Sequence, residues 1–179
     1  MMIKFARFNL LLLVALTLFS GTGCKSDPIE KKKKKEAKEL TLIELHLEVN
    51  HDGATDNEEI TIDRNNPFTV NVDKIPFLDG ADVTEAVVVD EAGGLFSIKV
   101  KFNWRGTQLL DGATAAHHNK RIAVFCAFDE SRWLAAPVIR KRIGDGIFTF
   151  TPDCTHEEAV RIARGLSNVA KKIKDADKW

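Results

Sequence analysis

FSIKVKFNWRGTQLLDGATAAHHNKRIAVFCAFDESRWLAAPVI, residues 96–139, is the stretch whose reading decides the fold. Phe96, Ile98, Val100 and Phe102 alternate with Ser97, Lys99 and Lys101, the period of two of a strand with one buried face. Asn103 then stands where a side-chain oxygen can accept from a free backbone N–H, so a helix is expected from Trp104 to about His117, weakened by Gly106 and Gly112. Arg121 to Phe128 is rich in apolar residues and reads as a central strand. Asp129-Glu130-Ser131 turns the chain into a partner strand, Trp133 to Ile139. Pro137 has no N–H to donate, which places that partner at an edge or a bulge.

Working outward, Gly144-Asp145-Gly146 is a turn and Ile147 to Thr151 a short strand. Thr155 and Glu158 form a capping box, in which a hydroxyl and a carboxylate each satisfy a free N–H. From there Ala159, Ile162, Ala163, Leu166, Val169, Ala170 and Ile173 make one apolar stripe at helical spacing. On the other side, Ile43, Leu45, Leu47 and Val49 alternate with Glu44, His46 and Glu48, and Ile60–Ile62, Phe68–Val72 and Val83–Val89 read as further strands. The order from Phe96 onward is strand, helix, strand, strand, helix. That is a split β-α-β unit, so the expected class is α+β: a two-layer, ferredoxin-like sandwich, an antiparallel sheet with two helices on one face and extra N-terminal strands.

The N-terminus carries an address. Lys4 and Arg7 precede a short apolar run, Leu10 to Phe19, and small residues lead to Cys24. This is the charge order of an export signal, too short for a permanent span. A lipoprotein signal is expected over residues 1–23, with cleavage between Gly23 and Cys24 and lipid attached to Cys24. Gly21 stands where the usual lipobox has an aliphatic residue, and the alternative is an ordinary secretory signal cleaved nearby. Residues 24–39, with the unbroken run Lys31–Lys35, read as a Lys-rich tether that is too polar to bury itself and is attracted to anionic headgroups. N-terminal strands follow over 40–72, a main domain over 73–174 and a tail over 175–179. Lys25 after Cys24 favours the outer membrane over the inner, with the chain facing the periplasm.

Full-length charge is balanced, 26 Lys+Arg against 26 Asp+Glu. Loss of Lys4 and Arg7 leaves a mildly acidic chain, with no global bias toward nucleic acid. Cys126 and Cys154 are a candidate disulfide in an oxidising compartment. Alternatively, Cys126 packs as a small apolar residue and Cys154 stands unpaired before a helix. Trp133 with Arg140 and Arg142 is a candidate partner surface; the alternative is a core-lining Trp beside a charged strand edge. Glu44, His46 and Glu48, with His51, either hold a metal ion or form a solvated face, the commoner origin of such a pattern. His156-Glu157 starts a zinc motif that Val160 breaks. His117 and His118 end a helix without converging, and Asp111 does not join them as an acid/base pair. Gly93-Gly94 lacks the Lys of a phosphate loop, so no catalytic residue, metal or cofactor is assigned.

Several of these pieces, in this order, resemble one family. Gly80-Ala81-Asp82 before a hairpin, Lys120-Arg121-Ile122-Ala123-Val124, Ala136-Pro137-Val138-Ile139, the Gly-Asp-Gly turn, and Phe150-Thr151 leading to Glu157-Glu158-Ala159 are similar to SecD, the protein-export membrane subunit. The likeness is to the head subdomain of its first extracytoplasmic domain and runs from about Val72 to Val169. It implies that fold and contact with exported polypeptide or translocon components, without the transport part, since no second apolar run is long enough to span a membrane. The expected function is a non-catalytic, membrane-anchored extracytoplasmic domain that binds protein or peptide, accessory to protein export or envelope assembly. A structural envelope lipoprotein with no export role and an enzyme of unknown class are the alternatives.

Overall fold

The computed structural model describes residues 28–50 and 56–176. The chain divides at Lys32/Lys33, and the fold belongs to the part from Lys33 onward. The signal, Gly23, Cys24 and His51 lie outside the described residues.

Helix α1 spans Pro28–Glu36. Strands β1 (Leu42–Leu47), β2 (Asn57–Ile62), β3 (Phe68–Asp73), β4 (Leu78–Asp79), β5 (Val83–Asp90) and β6 (Phe96–Phe102) follow. Helix α2 (Trp104–Ala116) leads to β7 (Ile122–Ala127), β8 (Ser131–Ala135), β9 (Ile147–Phe150) and helix α3 (His156–Ala176). The class is α+β with antiparallel sheets, as the alternating strands and two capped helices indicate. The strands nevertheless divide over three sheets: four strands in the order β4-β1-β7-β8, three in the order β5-β6-β9, and the β2-β3 hairpin.

One core serves both larger sheets. Ile43 and Leu45 of β1, Ile98 and Val100 of β6, Val124 and Cys126 of β7 and Phe148 and Phe150 of β9 meet Ala159, Ile162 and Leu166 of α3 in a single cluster. Each fully buried Ile or Leu there contributes about 1.5–3 kcal/mol. Both expected caps form. Asn103 Oδ1 accepts from Gly106 N–H at 2.8 Å. Thr155 N–H donates to Glu158 at 2.8 Å, and Glu158 N–H donates back to the Thr155 hydroxyl at 3.2 Å. These bonds hold the Glu158 carboxyl below its usual range, the backbone bond to Thr155 first among the causes.

Three features lie beyond the reading of the sequence. The stretch expected to be a solvated tether is helical over Pro28–Glu36, and Asn168 Nδ2 donates to the carbonyls of Glu36 (2.9 Å) and Glu39 (3.0 Å). Arg164 reaches the Glu39 carboxylate at 3.0 Å, and Arg161 reaches Asp129 at 2.6 Å. β4, only two residues long, is invisible to periodicity and pairs with β1 through Glu44↔Asp79 and Leu45↔Leu78. The polar face of β1 is partly covered: His46 is buried, whereas Glu44 and Glu48 are half-buried. Ile60, Ile62, Val70 and Val72 of the β2-β3 hairpin close a second cluster with Ala123 and Ala136, with Phe68 and Trp133 packed on it.

Gly165 marks the closest approach of α3 to the start of β1. A Cβ there would lie 2.2 Å from Thr41 Oγ1 and 3.0 Å from the Thr41 backbone nitrogen. Gly165→Ala therefore gains helix propensity but forces helix and strand apart, and the overpacking is larger. The expected result is a net loss of about 1–3 kcal/mol in urea unfolding, and an unchanged or raised midpoint would contradict this packing.

Candidate functional site

The motif Gly80-Ala81-Asp82 is a joint. Asp79 accepts from Ala81 N–H at 2.8 Å and closes a single 3-10 turn. Asp82, 3% exposed, then accepts from Asn103 Nδ2 at 3.0 Å and from the Arg105 guanidinium at 2.7 Å. Its carbonyl accepts from Asn103 N–H at 2.8 Å. One buried carboxylate thus fastens the strand β5 entry to the first turn of α2. Gly106 is required there, since a Cβ would stand 2.9 Å from both Asp82 Cβ and Phe102 Cβ.

An open cleft of about 520 Å³ lies where the edge of β8 meets the β2-β3 hairpin and the loop after β9. Its wall runs from Leu134 to Pro137, its far rim is Asp63, Asn65 and Phe68, and Thr151 to Cys154 closes one end. The rim is held by a tight turn. Asp63 has a positive φ of 67°, and its carboxylate accepts from Asn65 N–H (3.0 Å) and Asn66 N–H (3.2 Å). Arg64 ties the hairpin tip to Asp153, with its N–H and Nε donating to the carboxylate at 3.0 and 3.2 Å. Asp153 N–H in turn donates to the Leu134 carbonyl at 2.7 Å. Depressions of about 170 and 470 Å³ continue past Pro137 along the edge of β9.

The residues singled out by sequence divide. Trp133 packs edge-on against His46 (centroids 5.0 Å) and Phe125 (5.2 Å), on the second cluster. Arg140 is exposed, and its carbonyl accepts from the His118 ring at 3.1 Å. Arg142 clasps Asp111 through Nε and Nη2, both at 2.5 Å. Of the three, Arg140 and Arg142 are exposed and Trp133 is half-buried against its aromatic neighbours. His117 bonds back to the Ala113 carbonyl of its own helix at 3.0 Å, so Asp111 and His117 are not a pair. His156 lies 2.9 Å from Asp90 and edge-on to Phe96, joining the start of α3 to the β5-β6 turn.

His46 is 5% exposed, and its Nδ1 donates to the Asp73 carbonyl at 2.8 Å. Among the described residues its Nε2 has no hydrogen-bond partner, and it stands 3.5 Å from Glu44. Glu48 accepts from Arg121 N–H at 2.7 Å. Hairpin and strand thus occupy the face that sequence left open between metal and solvent, and among the described residues no group of three or more His, Cys, Asp or Glu is placed to hold a metal ion. Cys126 and Cys154 are both free thiols. Burial pushes Cys126 up to about 12 and Cys154 up to about 11, so both are protonated at neutral pH. Nothing in the sequence pointed to Asp82 as a joint, because a carboxylate in a turn is ordinary until its distant partners are known.

The fold and the site define an antiparallel α+β domain with an open cleft at the edges of its sheets. The family model for the SecDF P1 head subdomain matches residues 55–170, and this chain belongs to that family. It is also similar in fold to the solved structure of SecDF, a membrane component that enhances protein export. That match has 19% identity and a TM-score of 0.54, and it covers 79% of this chain and 69% of that one. SecDF in its super-membrane-facing form matches at 20% identity and a TM-score of 0.53, over 79% of this chain and 21% of that one. Among curated proteins no sequence matches.

Two measurements check the site. The hydrogen bonds from Arg142 hold the Asp111 carboxyl below its ordinary range. With the folded value depressed, the stability this pair supplies is present above the unfolded value of about 3.9 and fades as pH falls through the folded one. NMR titration of Asp111 should show the depressed midpoint, and Arg142→Gln should return it toward the ordinary value. Separately, the buried Cys126 thiol should resist a small alkylating reagent at pH 8 in the native protein and react once it is unfolded; rapid native labelling of Cys126 would contradict its placement.

Proposed function

We propose that this chain is an accessory of protein export: a lipid-anchored, non-catalytic head of SecD type that contacts polypeptide emerging on the outer side of the membrane. The observation that carries the reading is the family match over most of the folded part, on a domain whose sheet edges frame an open cleft. Among the described residues no helix is long and apolar enough to cross a membrane. In this reading Cys24 supplies the attachment, and the basic run Lys31–Lys35 adds attraction to anionic headgroups, about 1 kcal/mol for each Lys near the surface. In this proposal the lipid and the basic run reinforce one another, since two membrane signals hold a protein more firmly than one. Lys25 after Cys24 directs the anchor to the outer membrane in this proposal, with the head in the periplasm.

Contact rather than chemistry suits the cleft. Its polar groups are largely engaged with one another, Asp63 with its own turn and Asp153 with Arg64. Its walls offer backbone and small apolar side chains, Ala135, Ala136 and Pro137, which suit an unfolded chain of varied sequence.

A photo-crosslinking side chain placed at Asn65 on the rim tests this in living cells. Crosslinks to secreted polypeptides in transit, lost when secretion is blocked, are expected. Their absence, together with unchanged secretion rates on deletion and altered envelope integrity, would overturn the export role in favour of a structural one. Incorporation of a palmitate analogue, abolished by Cys24→Ser, is expected for the anchor, and a label that survives the substitution would refute it.

A further inference from the structure

The free edges of the sheets are not protected alike. At the β5 edge, the Ser167 hydroxyl of α3 accepts from Ala86 N–H and donates to the Ala86 carbonyl, both at 3.1 Å. At the β8 edge, the Leu134 carbonyl takes the Asp153 N–H. β9 is different. Phe102 N–H donates to the Gly146 carbonyl at 2.9 Å, and the register runs Lys101↔Ile147, Val100↔Phe148, Lys99↔Thr149, Ile98↔Phe150. Bonded and non-bonded pairs alternate in an antiparallel ladder, so Phe148 and Phe150 turn their backbone toward β6, and Ile147 and Thr149 turn theirs outward. Asp145 satisfies the Ile147 N–H at 3.0 Å. The Thr149 N–H and carbonyl have no hydrogen bond among the described residues. An uncovered edge of this kind is a template for another strand.

The surroundings define what fits. Beyond the edge lies the depression of about 170 Å³, bordered by Ile139, Ile143 and Phe148, with Arg140 and Lys141 on its rim. Lys99 and Lys101 stand exposed on the neighbouring strand, on the same outer face as Thr149. Lys99, Lys101, Arg140 and Lys141 have no ion pair among the described residues, whereas Arg142 is neutralised by Asp111. A strand laid beside β9 would therefore point alternate side chains at an apolar hollow and at unpaired positive charge.

Resting on the reading that this head contacts polypeptide, we propose that β9 receives an extended segment of that polypeptide as an added antiparallel or parallel strand, and that Lys99 and Lys141 select segments in which apolar residues alternate with acidic ones. Main-chain bonds to Thr149 supply sequence-tolerant affinity, and the alternating side chains supply preference. The charge term is that of exposed ion pairs and is screened by salt.

The test uses the full-length chain in detergent micelles and fluorescent short peptides alternating Val with Glu or Val with Lys. The Val/Glu peptide should bind more tightly, shift the Thr149 and Thr151 amide resonances and slow Thr149 amide exchange. Thr149→Pro removes an N–H that faces outward, a position where an edge strand tolerates proline, and should weaken binding about tenfold, the worth of one hydrogen bond. Thr149→Ala keeps the N–H and should bind as the parent does. Lys141→Glu, a surface change that leaves the backbone intact, should shift preference toward the Val/Lys peptide about two- to fivefold. Binding that perturbs only the cleft between Asp63 and Pro137, with Thr149 unmoved and Lys141→Glu neutral, would overturn strand addition at β9 while polypeptide contact stands. Failure of the parent protein to bind either peptide or an unfolded secretory polypeptide would overturn both.

Discussion

The structure depends on burying β7 from both sides. Ile122, Val124 and Cys126 face the main core, and Ala123, fully buried on the opposite face, lies under the β2-β3 hairpin. As a central strand, β7 pairs with β1 along its whole length and with β8 from Val124 to Ala127, and Ile122 N–H donates to the Pro137 carbonyl. It therefore needs cover on two faces rather than at its edges. The helix α3 and the three-stranded sheet close one face. The hairpin closes the other, and in doing so it draws His46 and Trp133 inward.

From that constraint the site follows. The hairpin that covers β7 also supplies the rim of the cleft, because its tip carries Asp63 and Arg64 out to Asp153 beyond the edge of β8. The two larger sheets share a core but keep separate edges, and the Asp153–Leu134 bond ties the loop after β9 to β8. The groove is a consequence of packing two sheets under one helix. The exposed lysines lie elsewhere, on β6 and on the segment after β8, where cations discourage indiscriminate pairing.

Local chemistry was legible wherever its signal sits within one turn or one hairpin. Asn103 and the pair Thr155–Glu158 cap the helices they precede, and the stripe from Ala159 to Ala170 faces the core. The strand expected from Trp133 to Ile139 spans Ser131–Ala135 instead, so Pro137 falls beyond it, and that strand is an edge. The pieces carrying the family resemblance have mechanical roles: Asp82 clasps α2, and the Ala136 and Pro137 carbonyls accept from Arg121 and from Ile122 N–H. What escaped was non-local. Trp133, Arg140 and Arg142 are close in sequence, yet one packs into a half-buried aromatic group, one keeps an exposed side chain and one is captured by Asp111 on another element.

Sequence by itself determined most of the elements, their caps, the α+β class and the family, because periodicity and short-range hydrogen bonding are written residue by residue; α1 and the two-residue β4 carry no such local signal. Only tertiary structure decided how the strands divide into three sheets and that the polar face of β1 is partly covered. It also decided that α3 grips Glu36 and Glu39, and which strand edges are left open. Those outcomes depend on pairings between residues tens of positions apart, such as Arg64 with Asp153 and Ser167 with Ala86. No local pattern encodes such a pairing; the shared core that brings the partners together selects it.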